Sequence, residues 1–380
     1  GSVVSKYWGV YLNQFFELIG WNINTNIAIG SFNFDLAPVI IVAFFTALLV
    51  MGTKIGARVD GALTILKIAI VVFIVVVGFF YIKAENFTPF IPPSEPAAST
   101  DGSGVSAVME QPLWQWATGM APSIYGVTGI ISGAALVFFA FLGFDVVATA
   151  SEETINPKKN VPLGIGVGMG LIIVLYTLVA IVTTGMVSYK DLAKQKDPSL
   201  ATAFEMVGAD WAAKIISFGI VIGLATVVMV LLLGLTRVVF AMSRDGLLPR
   251  GLSHTGKHGT PVRLQIIVGV VMALIAACCN VGILSDMVNI GTLSAFTLVA
   301  ISIPIMRKKR PDLERSFKIP GNPWVPILIA LANLWLMVNL SVLTWIRFVV
   351  WLIVGFAIYF GYGYRHARLG AGELEVAAQE

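Results

Sequence analysis

Charge is scarce in this sequence, and the scarcity sets its class. Asp, Glu, Lys and Arg make up 12% of its 380 residues, about half the share in soluble domains. Hydrophobic residues make up 57%, and the mean hydropathy is +0.87. A soluble domain of that composition has too little polar surface to cover itself, so most of the chain is expected in lipid. Cysteine is nearly absent. The two present, Cys278 and Cys279, are neighbours in an apolar run, which excludes a disulfide framework, a CxxC redox pair and a zinc site. His254 and His258 stand four apart beside Gly256 and Gly259, in a stretch with little helical character, and make a weak metal pair. No nucleophile–His–acid set and no phosphate-binding loop occurs, so neither an enzyme nor an ATP-driven pump is supported, and no cofactor is implied. Basic residues fall in short runs between apolar segments, which argues against nucleic acid as a partner. Ten-residue runs of strict alternation are also missing, which excludes a transmembrane β-barrel.

What the sequence has in abundance is apolar segments of spanning length. Nine occur, at about 36–53, 61–82, 130–149, 161–188, 211–242, 262–281, 285–306, 324–343 and 345–364. The expected fold class is an all-α integral membrane protein of about nine transmembrane helices. Residues 1–366 are expected to form one transmembrane domain and 367–380 a cytoplasmic tail. The loops after the first, third, fifth and seventh segments, with the C-terminus, hold sixteen Lys and Arg, including Lys158, Lys159, Arg307, Lys308 and Lys309; the opposite loops hold seven. Positive residues stay inside, so the first set and the C-terminus are expected in the cytoplasm. An odd number of segments then puts residue 1 outside, and GSVVSKYWGVYLNQFF reads as the end of a helix whose beginning lies upstream.

The longest outer loop, about 83–129, contains the low-complexity run SEPAASTDGSGVSA. Trp114 and Trp116 read as interfacial anchors. Asn86-Phe87-Thr88 is either a glycosylation acceptor or a chance match. A short surface helix is expected over 198–208.

The chain is organised around 137–160, VFFAFLGFDVVATASEETINPKKN. Gly143 sits among aromatics and Asp145 follows two residues later, inside what should be hydrocarbon. A carboxylate at that depth costs about 2.5–3.5 kcal/mol, so it faces a cavity or a partner. Gly143 lets the helix open and offers backbone carbonyls to a ligand; the alternative is a kinked structural helix with a satisfied Asp. Lys67, alone among Ile and Leu in GALTILKIAIVVF, either snorkels to the surface or gains and loses a proton during transport. Gly164, Gly166, Gly168 and Gly170 lie within an apolar helix, where small residues serve close helix packing. Arg237, ahead of MSRDGLLP, belongs either to a surface turn or to an inner gate.

FFAFLGFDVVATASEETINPKKNVP at 138–162 resembles the signature of the amino acid–polyamine–organocation superfamily, in particular its cationic amino acid transporter branch. ENFTPFIP at 85–92, MSRDGLLP at 242–249 and GTLSAF at 291–296 are similar to further motifs of that family, in the same order. The resemblance spans nearly the whole chain. It implies part of a twelve-helix fold whose first ten helices form two inverted five-helix repeats. The nine segments correspond to its fourth to twelfth helices, and three preceding helices are lacking. It also implies secondary transport of an amino acid, cationic ones included, across the plasma membrane by alternating access, with protons as the coupling partner. The family's broken sixth helix receives the substrate's ammonium group. On this pattern that role falls to the carbonyls of Phe139, Ala140 and Leu142, with Phe141 as an aromatic lid and Gly143 at the opening. Asp145 matches an acid of that helix, and Lys67 matches the fifth-helix lysine of proton-coupled members. The family's broken first helix, which supplies the other half of the site, has no counterpart here. That leaves a second class of function open: a non-transporting amino-acid sensor or a defective permease fragment.

Overall fold

In lipid the backbone of an apolar run has only itself to bond with, and such runs become helices. The structure, a computed structural model, describes residues 1–21, 25–29, 32–51, 57–96, 105–121, 123–149, 154–195, 198–254, 261–312, 315 and 317–367. Among them, five helices are long and apolar enough to cross a membrane, and four shorter apolar helices accompany them.

In chain order, α1 is Ser2–Leu18, β1 (Asn26–Ile29) pairs antiparallel with β2 (Phe32–Asp35), α2 is Leu36–Val50 and α3 is Ala57–Phe79. Next come β3 (Glu95–Pro96), α4 (Val105–Glu110), α5 (Leu113–Thr118) and β4 (Ser123–Ile124), which pairs with β3. They are followed by α6 (Gly126–Val137), α7 (Phe144–Thr149), α8 (Pro157–Met186), α9 (Tyr189–Ala193), α10 (Leu200–Met206) and α11 (Asp210–Arg244). Then come α12 (Val262–Cys278), α13 (Val281–Lys309), α14 (Trp324–Val338) and α15 (Val342–Ile358), which runs on through a π-helical turn at Tyr359–Gly363 into a last helical turn at Tyr364–His366. An apolar helix stands at each of the nine expected segments, five of them of spanning length and the third divided into α6 and α7, and α10 stands where a short helix is expected over 198–208.

The β1–β2 hairpin was not expected. Its strands are four residues each, too short for a ten-residue alternation to reveal. Asp35 ends it and caps α2 by accepting from the Ala37 N–H at 3.3 Å. Burial raises the Asp35 carboxyl above its ordinary range, and Lys6 and the bonds from Ala37 and Thr25 oppose that rise.

The chain divides into two compact units: Gly1–Thr88, Met169–Val281 and Ile358–Glu380 form one, Pro89–Gly168 and Gly282–Ala357 the other. In the first unit, Trp8, Val42, Val228, Leu232, Leu264 and Met272 join α1, α2, α11 and α12. A second cluster, with Ile74, Val182, Phe204 and Ile216, joins α3, α8, α10 and α11. Polar bonds hold α10 on α1: Gln14 donates to Thr202 and Glu205, and Ser199 donates to Gln14 at 2.7 Å. In the second unit, Ala135, Ile290, Leu293, Met337 and Phe348 pack together. There Trp114 donates to the Asn339 side chain at 2.9 Å, a contact within the protein, while Trp116 is exposed.

The glycines that let helices approach are not the ones the sequence pointed to. A methyl at Gly164, Gly166, Gly168 or Gly170 would meet no described atom within 4 Å. Close approaches include Gly78 against Val182, Gly219 against Ile70, and Gly269 against Thr46. A small residue marks a contact only where a partner helix lies opposite it, and helix spacing along one chain does not say which face that is.

Candidate functional site

Helix α6 ends at Val137, and the chain tightens into a 3-10 turn over Phe138–Phe141. Leu142 then goes extended (φ −70°, ψ 141°) and Gly143 takes φ 131° before α7 begins. An L side chain avoids that conformation, so glycine at 143 is what lets the chain leave one helix and enter the next. Among the bonds at the interruption are Leu142 N–H to Phe139 O and Val146 N–H to Gly143 O, both 3.2 Å. The C-terminal end of α6, which carries a partial negative charge, precedes this break.

Five of the residues singled out above, Phe139, Ala140, Phe141, Leu142 and Gly143, are thus brought together on one interruption. Ala140 is exposed and the others are half-buried. The side chain of Asp145 lies outside the described residues. Helix α13 borders the interruption within the same unit. Asn289 donates its side-chain amide to the Leu136 carbonyl at 3.0 Å. The Phe296 ring lies 6.1 Å from that of Phe138 and 5.2 Å from that of Phe144. One turn before Asn289, the Asp286 carboxylate accepts from Thr344 at 3.1 Å. Asn289 and Asp286 escaped the reading of the sequence, although polar residues inside a spanning segment were there to be asked about.

Lys67 lies in the other unit, on α3. It is half-buried, and its aliphatic stem crosses α11 at Gly223, where an added methyl would come within 3.3 Å of Lys67 Cγ. Gly219, one turn away, receives Ile70 in the same manner. Two glycines four apart on α11 therefore make a groove for one face of α3, and Lys67 is seated in it.

The remaining quoted motifs close local structure. In ENFTPFIP, Asn86 donates to the Gly185 carbonyl at 2.8 Å, so its amide is occupied by the fold. In MSRDGLLP, Gly246 at φ 82° ends α11, Leu247 N–H returns to Met242 O, and Ser243 donates to Pro249 O. GTLSAF supplies Phe296. His258 lies outside the described residues, and Arg237 is half-buried on α11.

A model of the amino acid permease family matches residues 4–361. The chain belongs to that family. This permease is 38% identical over 378 residues to the branched-chain amino acid permease BcaP of Bacillus subtilis (strain 168), covering 97% of this chain and 74% of the relative. It is also 38% identical to the methylthioribose transporter of the same organism, over 376 residues, again with 97% and 74% covered. The cationic amino acid transporter 3, mitochondrial, of Arabidopsis thaliana is 34% identical over 281 residues, 74% of this chain and 42% of the relative. Like its family, the permease is a multi-pass integral membrane protein and not an enzyme.

Proposed function

We propose that this permease moves amino acids across the plasma membrane by alternating access, driven by protons, with its C-terminus in the cytoplasm. The interruption at 138–143 carries the reading. A spanning helix opened in mid-course makes backbone carbonyls available within the membrane, together with the negative end of α6, and an ammonium group is the charge they suit. The carbonyls of Phe139, Ala140 and Leu142 receive the substrate's ammonium, and Phe141 covers it. Lys67 is the coupling group: protonated it stabilises one orientation of the carrier, and neutral it releases it. Side chains on the interruption are uncharged throughout, which favours substrates with apolar side chains, and a 38% identical relative named for branched-chain amino acids points the same way.

The test is uptake of labelled leucine, valine, lysine, arginine and methylthioribose into proteoliposomes, with and without an inward proton gradient. Leucine and valine should accumulate only with the gradient. Uptake confined to methylthioribose, or absent for every amino acid, overturns the substrate reading. Accumulation indifferent to the gradient overturns the coupling.

A further inference from the structure

The interruption between α6 and α7 is held from outside. Asn289 of α13 is fully buried, and so are its neighbours Ile290 and Leu293. Its amide donates to the carbonyl of Leu136, the last residue but one of α6. That oxygen also accepts a backbone N–H where α6 ends, so the amide adds a second bond to a carbonyl that lies just ahead of the 3-10 turn. The Asn289 Oδ1 has no hydrogen-bond partner among the described residues. A buried amide that uses half its capacity among aliphatic neighbours adds nothing to packing that a leucine would not add better. What it supplies is a fixed position for one carbonyl at the edge of the gap.

Phe296 acts on the same segment. Its ring meets Phe138, where the 3-10 turn begins, and Phe144, where α7 begins. The two rings flank the gap, and one ring spans them. Asn289 and Phe296 are seven residues apart, two turns, and so lie on one face of α13.

We infer that Asn289 and Phe296 are positioning residues which clasp the interrupted helix, setting the spacing of its two halves and the direction of the carbonyls between them. The inference rests on the reading of that gap as the substrate site. A residue that only supports the fold would change the amount of working protein and its melting temperature, and so the maximal rate; a residue that aims the carbonyls changes substrate affinity. Removing the amide (Asn289→Leu) or the bridging ring (Phe296→Leu) should therefore raise the KM for the transported amino acid about tenfold or more, since small misplacements of binding groups are costly. Phe296→Tyr keeps the ring and should recover most of the loss.

The experiment is the concentration dependence of uptake in proteoliposomes for wild type, Asn289→Leu, Phe296→Leu and Phe296→Tyr, with melting curves in detergent alongside. Raised KM in the Leu variants and recovery with Tyr support the clasp. KM within twofold of wild type in both Leu variants overturns it, whatever happens to the maximal rate or the melting temperature. If Asn289→Leu does not fold, Phe296→Leu against Phe296→Tyr decides alone. Failure of the wild type to take up any amino acid is a different result, and it falls on the functional reading.

Discussion

Gly143 is held at φ 131°, yet a methyl added to it would meet nothing within 4 Å. Room is therefore not the constraint; backbone conformation is. Alanine there is expected to cost about 1–3 kcal/mol of the observed conformation, enough to shift the segment toward a continuous helix. Gly143→Ala should thus cut amino acid uptake at least tenfold while the protein still inserts and purifies, measured as initial rates per milligram in proteoliposomes. Unchanged rates would mean that the opening does not matter to transport. Lys67 allows a sharper comparison. If it works by giving up its proton, arginine cannot replace it, because guanidinium stays charged. Lys67→Ala and Lys67→Arg should both abolish gradient-driven accumulation, while exchange of internal for external substrate partly survives in the alanine variant. A Lys67→Arg protein that still accumulates substrate in response to a pH gradient would reduce the lysine to a charge at the membrane surface.

At the scale of elements, the seat of Lys67 is the groove that Gly219 and Gly223 make in α11. The two glycines face different neighbours. A methyl at Gly219 would fall 2.5–2.6 Å from Ile70 Cδ1 and Cγ1, whereas at Gly223 it would fall 3.3 Å from the flexible Lys67 stem. Isoleucine is stiff about its first torsion and a lysine stem is not. Gly219→Ala should therefore destabilise the protein by about 1–3 kcal/mol through overpacking, and Gly223→Ala by clearly less. Thermal melting in detergent compares them, and equal midpoints would show that α3 and α11 are not packed as described. None of this groove was legible in the sequence. The spans were, because a run of twenty apolar residues has one stable form in lipid. So was the position of the opening, because glycine beside an acid inside such a run is costly without a use. The partner of each face was not. Gly164 to Gly170 looked like the packing stripe, yet a methyl there would meet no described atom within 4 Å, while Asn289 and Phe296 on α13 reach the interrupted helix across some 150 residues of chain. Contacts at that separation leave no local pattern. The hairpin at 26–35 was missed for the opposite reason: it is local, but too short to stand out.

At the scale of the whole molecule the question is which loops face which side. Between Glu110 and Lys309 the chain runs through α6 with α7, then α8, α11, α12 and α13. If each crosses, there are five crossings, and the two positions lie on opposite sides whichever way the protein inserts. The weakest member of that count is α12. It has 17 residues and spans about 26 Å, against a hydrocarbon core of about 30 Å. A bilayer thins around a short span at modest cost, and Arg263 at its start can extend toward the headgroups, so the crossing is expected to hold. The direction follows from charge: Arg307, Lys308 and Lys309 fill the last turn of α13, where they also complement the negative end of the helix, and they favour the cytoplasm. Cys278 is exposed and Cys279 partly so, so both must first be replaced by serine. In that background Glu110→Cys should react with a membrane-impermeant maleimide on intact cells, and Lys309→Cys only after permeabilisation. The reverse pattern would keep five crossings and invert the protein. Reaction of both from outside would leave an even number, and α12 would be the helix that does not cross.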